Sequence, residues 1–373
     1  MFFALTDEQR ALSATVRDYL RDRFGPEQVR AVYEDPTGDG HPADLWKACA
    51  EQGWLAVLIP ERYDGLGLGL LDASVIARAW GVGTVPGPYL PTVIAAEAIR
   101  LAGSPEQQQT WLPRVAGGEA VLTLATRGPG GAFDPAGAAC TVADPAGGAG
   151  SDPATGRLTG TAAHVEYAHV ADRLVTATPD GRLWLVDPAG PGVRIDRVES
   201  LDRTTRLATV QFQDAPGEAL LGAPDALPAV YRAGAVLISN DLAGIARSAL
   251  TRTVAYDKER QQFGRPVGSF QAIKHALADL HVGVTMAEHG ALYAAYAVDA
   301  GRPDAVQAVH VAKAKASDVA RDATAAMIQY HGGIGYTWEH DTHFAYKRAK
   351  REEYLYGDAS WHRERLARLL IGA

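Results

Sequence analysis

Two short segments in the last third of the chain combine residue types that can hold a phosphorylated ligand. The first is Asp257-Lys258-Glu259-Arg260-Gln261-Gln262-Phe263-Gly264-Arg265-Pro266-Val267-Gly268, followed by Phe270 and Gln271. A guanidinium pairs bidentately with pyrophosphate oxygens, and Phe263 adds an apolar face. That chemistry suits a dinucleotide; the competing reading is an ordinary helix–helix turn with solvated charges. The second segment is Gln329-Tyr330-His331-Gly332-Gly333-Ile334-Gly335-Tyr336-Thr337. Paired glycines after a helix allow positive φ and close backbone approach to a phosphate or a ring edge. The same pattern also serves as a plain helix stop, and a lone His331 is more often packed than catalytic. No strand precedes these glycines, so they are not a Rossmann fingerprint.

The elements that must position these segments differ in texture along the chain. Residues 1–118 read as helical. Thr6 and Gln9 make a capping box before Leu12, Val16 and Leu20, and a second helix is expected from Ala43 to Gln52. The loop Leu58–Gly69, punctuated by Pro60, Gly65, Gly67 and Gly69, brings the backbone close to something, or simply links two packed helices. Residues 119–221 form a small β unit with strands expected over Ala120–Ala125, Arg173–Ala177, Leu183–Val186 and Thr209–Gln213. The Gly-, Ala- and Pro-rich stretch Gly128–Gly156 is expected to be a long, partly mobile loop. Residues 222–373 return to helix, with long Ala-rich segments over Ala226–Asp257, Phe270–Ala300 and Pro303–Tyr330 and a shorter one over Trp361–Leu370. Antiparallel helices of that length make a bundle. The order helices, β unit, helices gives an α+β fold class.

Composition sets the outer limits. The chain has 373 residues, 47% hydrophobic and 21% charged, with a net charge of -8. An acidic chain does not present the basic surface stripe of a nucleic-acid binder, so no such partner is expected. Cys49 and Cys140 are far apart and no His cluster accompanies them, so neither a disulfide nor a metal site is expected; both thiols should be free and buried. The start, Met1-Phe2-Phe3-Ala4-Leu5-Thr6-Asp7, lacks a basic region followed by an apolar run, and no apolar stretch reaches membrane-spanning length. The expectation is a cytoplasmic protein without a signal peptide or membrane insertion.

Taken in order, Gly53-Trp54, Pro60–Gly67, Arg260-Gln261-Gln262-Phe263-Gly264, Phe270-Gln271-Ala272-Ile273 and Gln329–Tyr336 resemble the acyl-CoA dehydrogenase family over essentially the whole chain. The resemblance implies an N-terminal helical domain, a middle β-barrel-like domain and a C-terminal four-helix bundle. It also implies FAD bound across a subunit interface, an acyl-CoA thioester substrate and an electron-transfer acceptor. On that resemblance, Arg260, Gln261 and Gln262 hold the pyrophosphate region of a flavin bound mainly by a neighbouring subunit. Phe263, Phe270 and Gln271 pack beside it, and Gln329, Gly332 and Gly333 line its adenosine end.

The chain departs from the family where catalysis is concerned. The family base is a Glu just before a Gly; here Tyr356 stands before Gly357, and a phenol with a pKa of about 10 is a poor base near neutrality. Relatives that place the Glu early in the first bundle helix are not matched by Val230–Asp241, where Asp241 lies too far along. Glu352, Glu353 and Asp358 are nearby carboxylates, read as solvated or salt-bridged at the surface, with Glu353 and Asp358 kept as weak candidates for the base. The segment that wraps the flavin ring is reduced to Thr126-Arg127-Gly128-Pro129-Gly130-Gly131-Ala132-Phe133-Asp134, and the strand beyond it reads Ala163-His164-Val165-Glu166. Gly333–Asp341, Gly357–Ala359 and His362–Leu366 resemble heteromeric acyl-CoA dehydrogenases of steroid degradation. That resemblance implies the subunit without the catalytic Glu in an α2β2 assembly, lending half of an FAD site to a sister chain. The alternatives are a homotetrameric flavoenzyme with an atypical base and a non-catalytic structural partner.

Overall fold

The computed structural model describes residues 4–133, 135, 139–143, 154–223 and 226–372. Six helices open the chain: α1 Asp7–Arg23, α2 Pro26–Glu34, α3 Ala43–Glu51, α4 Leu70–Gly83, α5 Tyr89–Ala102 and α6 Pro105–Ala116. Seven strands follow: β1 Leu122–Ala125, β2 Cys140–Ala143, β3 Thr155–Glu166, β4 Arg173–Ala177, β5 Leu183–Val186, β6 Val193–Val198 and β7 Leu207–Ala219. Then come α7 Ala226–Glu259, the two-residue strands β8 Gln261–Gln262 and β9 Arg265–Pro266, α8 Gln271–Asp299, α9 Ala305–His331, α10 Thr342–Glu352 and α11 Ala359–Ile371.

The chain divides into two compact units. One comprises the described residues of Met1–Glu34, Leu70–Val85 and Ala235–Ala373; the other comprises those of Asp35–Gly69 and Pro86–Gly234.

In the first unit α1 starts where the sequence requires. Gln9 N–H donates to Thr6 Oγ1 at 3.2 Å while Thr6 N–H donates to Gln9 Oε1 at 3.1 Å, so two of the first turn's donors are satisfied reciprocally. Val16 and Leu20 are then buried on one face. The bundle consists of α7, α8, α9 and α11, with α10 packed on α9 as a fifth helix that the sequence reading did not anticipate. Its core is largely alanine: Ala287, Ala291, Ala294 and Ala295 of α8 and Ala312, Ala316, Ala320 and Ala323 of α9 are buried, which lets the helices approach closely.

In the second unit a curled seven-stranded sheet runs in the order β1-β4-β5-β7-β3-β2, with β6 also on β7. β7 is long enough to carry β6 along its first half and β5 at its end, while β3 pairs along its other edge. Leu174, Val175, Trp184 and Leu185 are buried. The strands expected at 173–177 and 183–186 are found, and Ala163–Glu166 lies in a strand as expected, whereas β2, β6 and the earlier part of β3 were not anticipated. Gly156 and Gly160 in β3 hide its β character: a Cβ at Gly160 would meet the Ala139 carbonyl oxygen at 2.1 Å, so side-chain-free backbone is required there. The stretch Gly128–Gly156 therefore contains a strand rather than one long loop; residues 134, 136–138 and 144–153 lie outside the described residues.

The Leu58–Gly69 loop closes on itself. Gly67 N–H donates to Ile59 O at 2.8 Å and Leu66 N–H to Ala56 O at 2.9 Å, and a Cβ at Gly65 would come within 1.8 Å of Ile59 O. What this backbone approaches closely is its own preceding turn. Cys49 and Cys140 are free and buried as expected; burial pushes the Cys49 thiol well up and the Cys140 thiol to about 11, which makes both poor nucleophiles.

Candidate functional site

α7 hands over to a hairpin at Arg260, whose N–H still donates to Tyr256 O at 2.8 Å. β8 and β9 pair Gln261 with Pro266 and Gln262 with Arg265, and Val267 N–H returns to Arg260 O at 2.8 Å. The two turn residues, Phe263 and Gly264, both have positive φ (53° and 76°). That is the geometry of a two-residue hairpin turn, which favours Asn-Gly because an L side chain is strained at the first position. Phe263 accepts that strain and is also 91% exposed. Its ring meets Phe270 edge-on at 6.2 Å, and the Arg265 guanidinium lies 4.0 Å from the centroid of Phe270. Arg260, Gln261, Gln262 and Gln271 are all exposed.

The second segment sits at the end of α9. Gln329 is exposed, and Gly332 takes φ 65°, ψ −142°, a backbone state essentially reserved for glycine. A Cβ on Gly332 or Gly333 would meet nothing within 4 Å, whereas one on Gly335 would meet Ile328 O at 2.6 Å. The first two glycines thus present open backbone, and the third packs the turn. His331 is a packed histidine: it is buried, its Nδ1–H donates to Met327 O at 2.7 Å, and its ring stacks on Tyr256 at 4.4 Å. Desolvation first holds its pKa below the ordinary value. The Tyr256–His331 stack ties the helix that ends in the hairpin to the helix that ends in Gly332-Gly333. One unit therefore carries the exposed guanidinium, amides, aromatic ring and bare glycine backbone together. That donor set fits a flat ligand with a phosphate chain.

The turn after α10 is organised differently. Tyr356 has φ 57° and Gly357 φ 101°. Buried Lys313 clamps this turn, its Nζ donating to Glu353 O, Gly357 O and Ser317 Oγ at 3.0 Å each. His362 Nε2–H donates to Tyr356 O at 3.0 Å, so Nδ1 is left to accept from His310 Nδ1 at 2.8 Å. Burial first, then Lys313 and His310, push the His362 pKa down to about 3, and the ring is neutral.

The carboxylates near this turn have structural partners. Asp358 caps α11, accepting from Trp361 N–H at 2.7 Å. Glu353 is buried and paired with Lys350. Glu352 overturns the surface reading: it is 0% exposed and bonded to Arg348 at 2.9 Å and Arg351 at 3.0 Å. Arg348, itself buried, also binds Asp241 and the Val85 carbonyl. A carboxylate so deep is sealed in an ion network, because an unpaired charge there would be costly. Lys313 and Arg348 were missed in the sequence, although Val309, Lys313, Ala316 and Ala320, and likewise Phe344, Arg348 and Glu352, recur at core spacing.

In the second unit, Gly128–Gly131 forms a turn closed by Gly131 N–H to Gly128 O at 2.9 Å, and Ala163 N–H donates to Arg127 O at 3.0 Å. His164 sits at φ 52° where the register of β3 on β7 slips between Ala162 and Val165. A Cβ on Gly131 would come within 2.5 Å of the His164 ring, so imidazole covers the glycine. Desolvation first, then the Arg127 guanidinium, hold the His164 pKa below its ordinary value. Asp134 lies outside the described residues.

Comparison with known proteins decides the family. The N-terminal domain of acyl-CoA dehydrogenases matches residues 6–119 and their C-terminal domain matches residues 232–371. The chain belongs to the acyl-CoA dehydrogenase family. Acyl-CoA dehydrogenase IpdE2 of Mycobacterium tuberculosis is 34% identical over 92% of this chain and 91% of its own length. IpdE2 of Mycolicibacterium smegmatis is 31% identical over 98% of each. Among solved structures, a Tcur3481–Tcur3483 steroid ACAD variant superposes with a TM-score of 0.88 at 31% identity over 98% of both chains. The ChsE4–ChsE5 complex of Mycobacterium tuberculosis does so with 0.89 at 27% identity over the full length of both. As an acyl-CoA dehydrogenase the chain is an oxidoreductase whose family cofactor is FAD.

Proposed function

We propose that this acyl-CoA dehydrogenase chain is the subunit without the catalytic Glu in a heteromeric, steroid-type enzyme, and that it lends half of an FAD site to a sister chain. The observation that carries this reading is Phe263, held at φ 53° and 91% exposed at the tip of the Arg260–Arg265 hairpin. Backbone strain and an exposed aromatic ring are both unfavourable in an isolated chain. Both are offset if another molecule covers the tip.

In this reading Arg260 would pair with pyrophosphate oxygens, with Gln261 and Gln262 adding hydrogen bonds. Phe263, Phe270 and Gln271 would pack against the cofactor, and Gln329 with the open backbone of Gly332 and Gly333 would face its adenosine end. When bound, FAD supplies the hydride acceptor for α,β-desaturation. The α-proton of a bulky, steroid-derived acyl-CoA would be taken by a carboxylate of the sister chain, because Tyr356 stands at the base position here and Glu352, Glu353 and Asp358 are engaged. The His164 ring over Gly131 supports the same division, since that turn is filled by the chain's own side chain. The names of the relatives support the substrate class: one solved relative is a steroid ACAD and another is a complex of two chains. The enzyme would work in the cytoplasm and pass electrons to an electron-transfer acceptor. Among the described residues no helix is long and apolar enough to cross a membrane.

Arg260→Ala in the assembled complex tests the lending role. Flavin per complex, read from absorbance, should fall at least tenfold while the complex stays assembled. Unchanged flavin content would reduce this chain to a scaffold.

A further inference from the structure

Where α4 ends, the chain turns in a Schellman motif: Val85 N–H donates to Trp80 O and Thr84 N–H to Gly81 O, both at 3.1 Å. The residue at that turn takes positive φ, which glycine does without strain. Here it is Thr84, at φ 51°. A β-branched residue in the left-handed region is an outlier, and such strain is kept where the side chain is needed. Thr84 is 9% exposed; its hydroxyl has no hydrogen-bond partner among the described residues, yet it is not sealed from solvent.

Thr84 lines a crevice of about 320 Å³ enclosed by α1, the turn into α2, the end of α4, the middle of α7 and the start of α10. All of these residues lie in the first compact unit. The floor is apolar, with Leu20, Val29, Ala79 and Phe344 buried. Ser248 of α7 adds a second hydroxyl that is neither partnered nor sealed. The charged lining is Arg17, Arg21 and Arg252 against Asp341. Arg252 is bonded to Asp341, and Arg21 is held by Asp18 and Asp22. Arg17 differs: its Nε donates to Ser13 O at 3.2 Å, and its two terminal nitrogens have no partner among the described residues.

The apolar floor favours a hydrocarbon body, since water over it leaves that surface hydrated. The polar wall offers the open end of a guanidinium and two hydroxyls. A carboxylate matches that set: it accepts from Arg17, and its remaining lone pairs accept from the hydroxyls. Inorganic phosphate would use the same donors and leave the floor uncovered. An alcohol would cover the floor and leave the guanidinium without a counter-charge. The volume lies at the low end for ligand pockets and suits a small molecule.

We propose that this crevice binds a small monocarboxylic acid, with its hydrocarbon body on Leu20, Val29 and Phe344 and its carboxylate on Arg17, Thr84 and Ser248. Thr84 then keeps a strained backbone because its hydroxyl belongs to the site. None of these residues lies in the Arg260–Arg265 hairpin or the Gly332-Gly333 turn, so the site is tested independently of cofactor lending.

Octanoate, 1-octanol and inorganic phosphate would be titrated by calorimetry into the purified full chain and into Arg17→Ala and Thr84→Gly, with melting temperatures measured without ligand. The expected result is one octanoate per chain, bound at least tenfold more tightly than octanol or phosphate, and at least tenfold more weakly by each variant. Unliganded Thr84→Gly should melt at the same temperature or higher, because glycine relieves the turn; affinity and stability then move in opposite directions, which a merely structural threonine would not produce. Octanoate binding unchanged in both variants would place the acid in another site and overturn the proposal. Equal affinity for octanol would show an apolar crevice without carboxylate recognition, and no saturable binding would show one that holds only water; either overturns it. If Thr84→Gly melts lower, Arg17→Ala decides alone: a tenfold loss supports the site and unchanged affinity refutes it.

Discussion

Asp257 carries a signature that can be measured in the isolated chain. Desolvation raises its carboxyl from the ordinary 3.8 to about 6. The folded state therefore holds this proton more tightly than the unfolded state. Its effect is absent below pH 3.8, and it destabilises progressively as pH rises through the window up to about 6. The titratable groups around it in the slot between α7 and α8 are Arg247, Lys258, Glu259, Lys274 and His281. Urea unfolding at pH 4.5 and 7 should show the native chain losing stability with rising pH relative to Asp257→Asn; parallel profiles would contradict the assignment. At this scale Arg260, Gln261 and Phe263 could be picked out as candidates because they are local to one turn, and the structure places them exposed on one hairpin. Asp257 was quoted with them but not singled out, since nothing in its neighbours shows that both carboxylate oxygens would be left without a donor. Arg348 was hidden for a related reason: its partners Asp241 and Val85 lie more than a hundred residues away.

Among the elements, α10 shows how a buried network fixes one helix. Arg348 and Glu352 project one turn apart toward Asp241 of α7, and all three are nearly sealed from water. Such a network adds little over apolar packing, but breaking it leaves charges stranded. Arg348→Met should cost about 3–5 kcal/mol in denaturant unfolding, because two buried carboxylates lose their shared cation. A change below 1 kcal/mol would mean that Arg351 or water takes its place. The elements read correctly from sequence were those with their own local signal. α1 has its capping box, β4 and β5 have short apolar runs, and the long alanine-rich helices have unbroken periodicity. α10 was missed because Lys347, Arg348, Lys350, Arg351 and Glu352 crowd it with charge, and the apolar stripe of Phe344 and Ala345 is short. The earlier part of β3 was missed because Gly156 and Gly160 are present for close backbone approach rather than for β propensity.

At the scale of the whole molecule, the two compact units bear opposite marks. One offers an exposed hairpin and open glycine backbone, and the other fills its glycine turn with His164. Together with Tyr356 before Gly357, these marks support the proposal that this acyl-CoA dehydrogenase chain works with a different chain. The order helices, β unit, helices was legible because each region's texture is distinct. The pairing of β1 parallel to β4 was not, because strand order depends on contacts across some fifty residues. The most direct measurement purifies this chain alone and, separately, together with a paralogous acyl-CoA dehydrogenase chain that carries the Glu. FAD per chain would be determined from the absorbance spectrum, and desaturation of a steroid side-chain CoA thioester would be assayed on both preparations. The account predicts little flavin and little turnover for the chain alone, and both restored in a complex of the two chains. A homotetramer of this chain alone that is yellow and active on the acyl-CoA would contradict it.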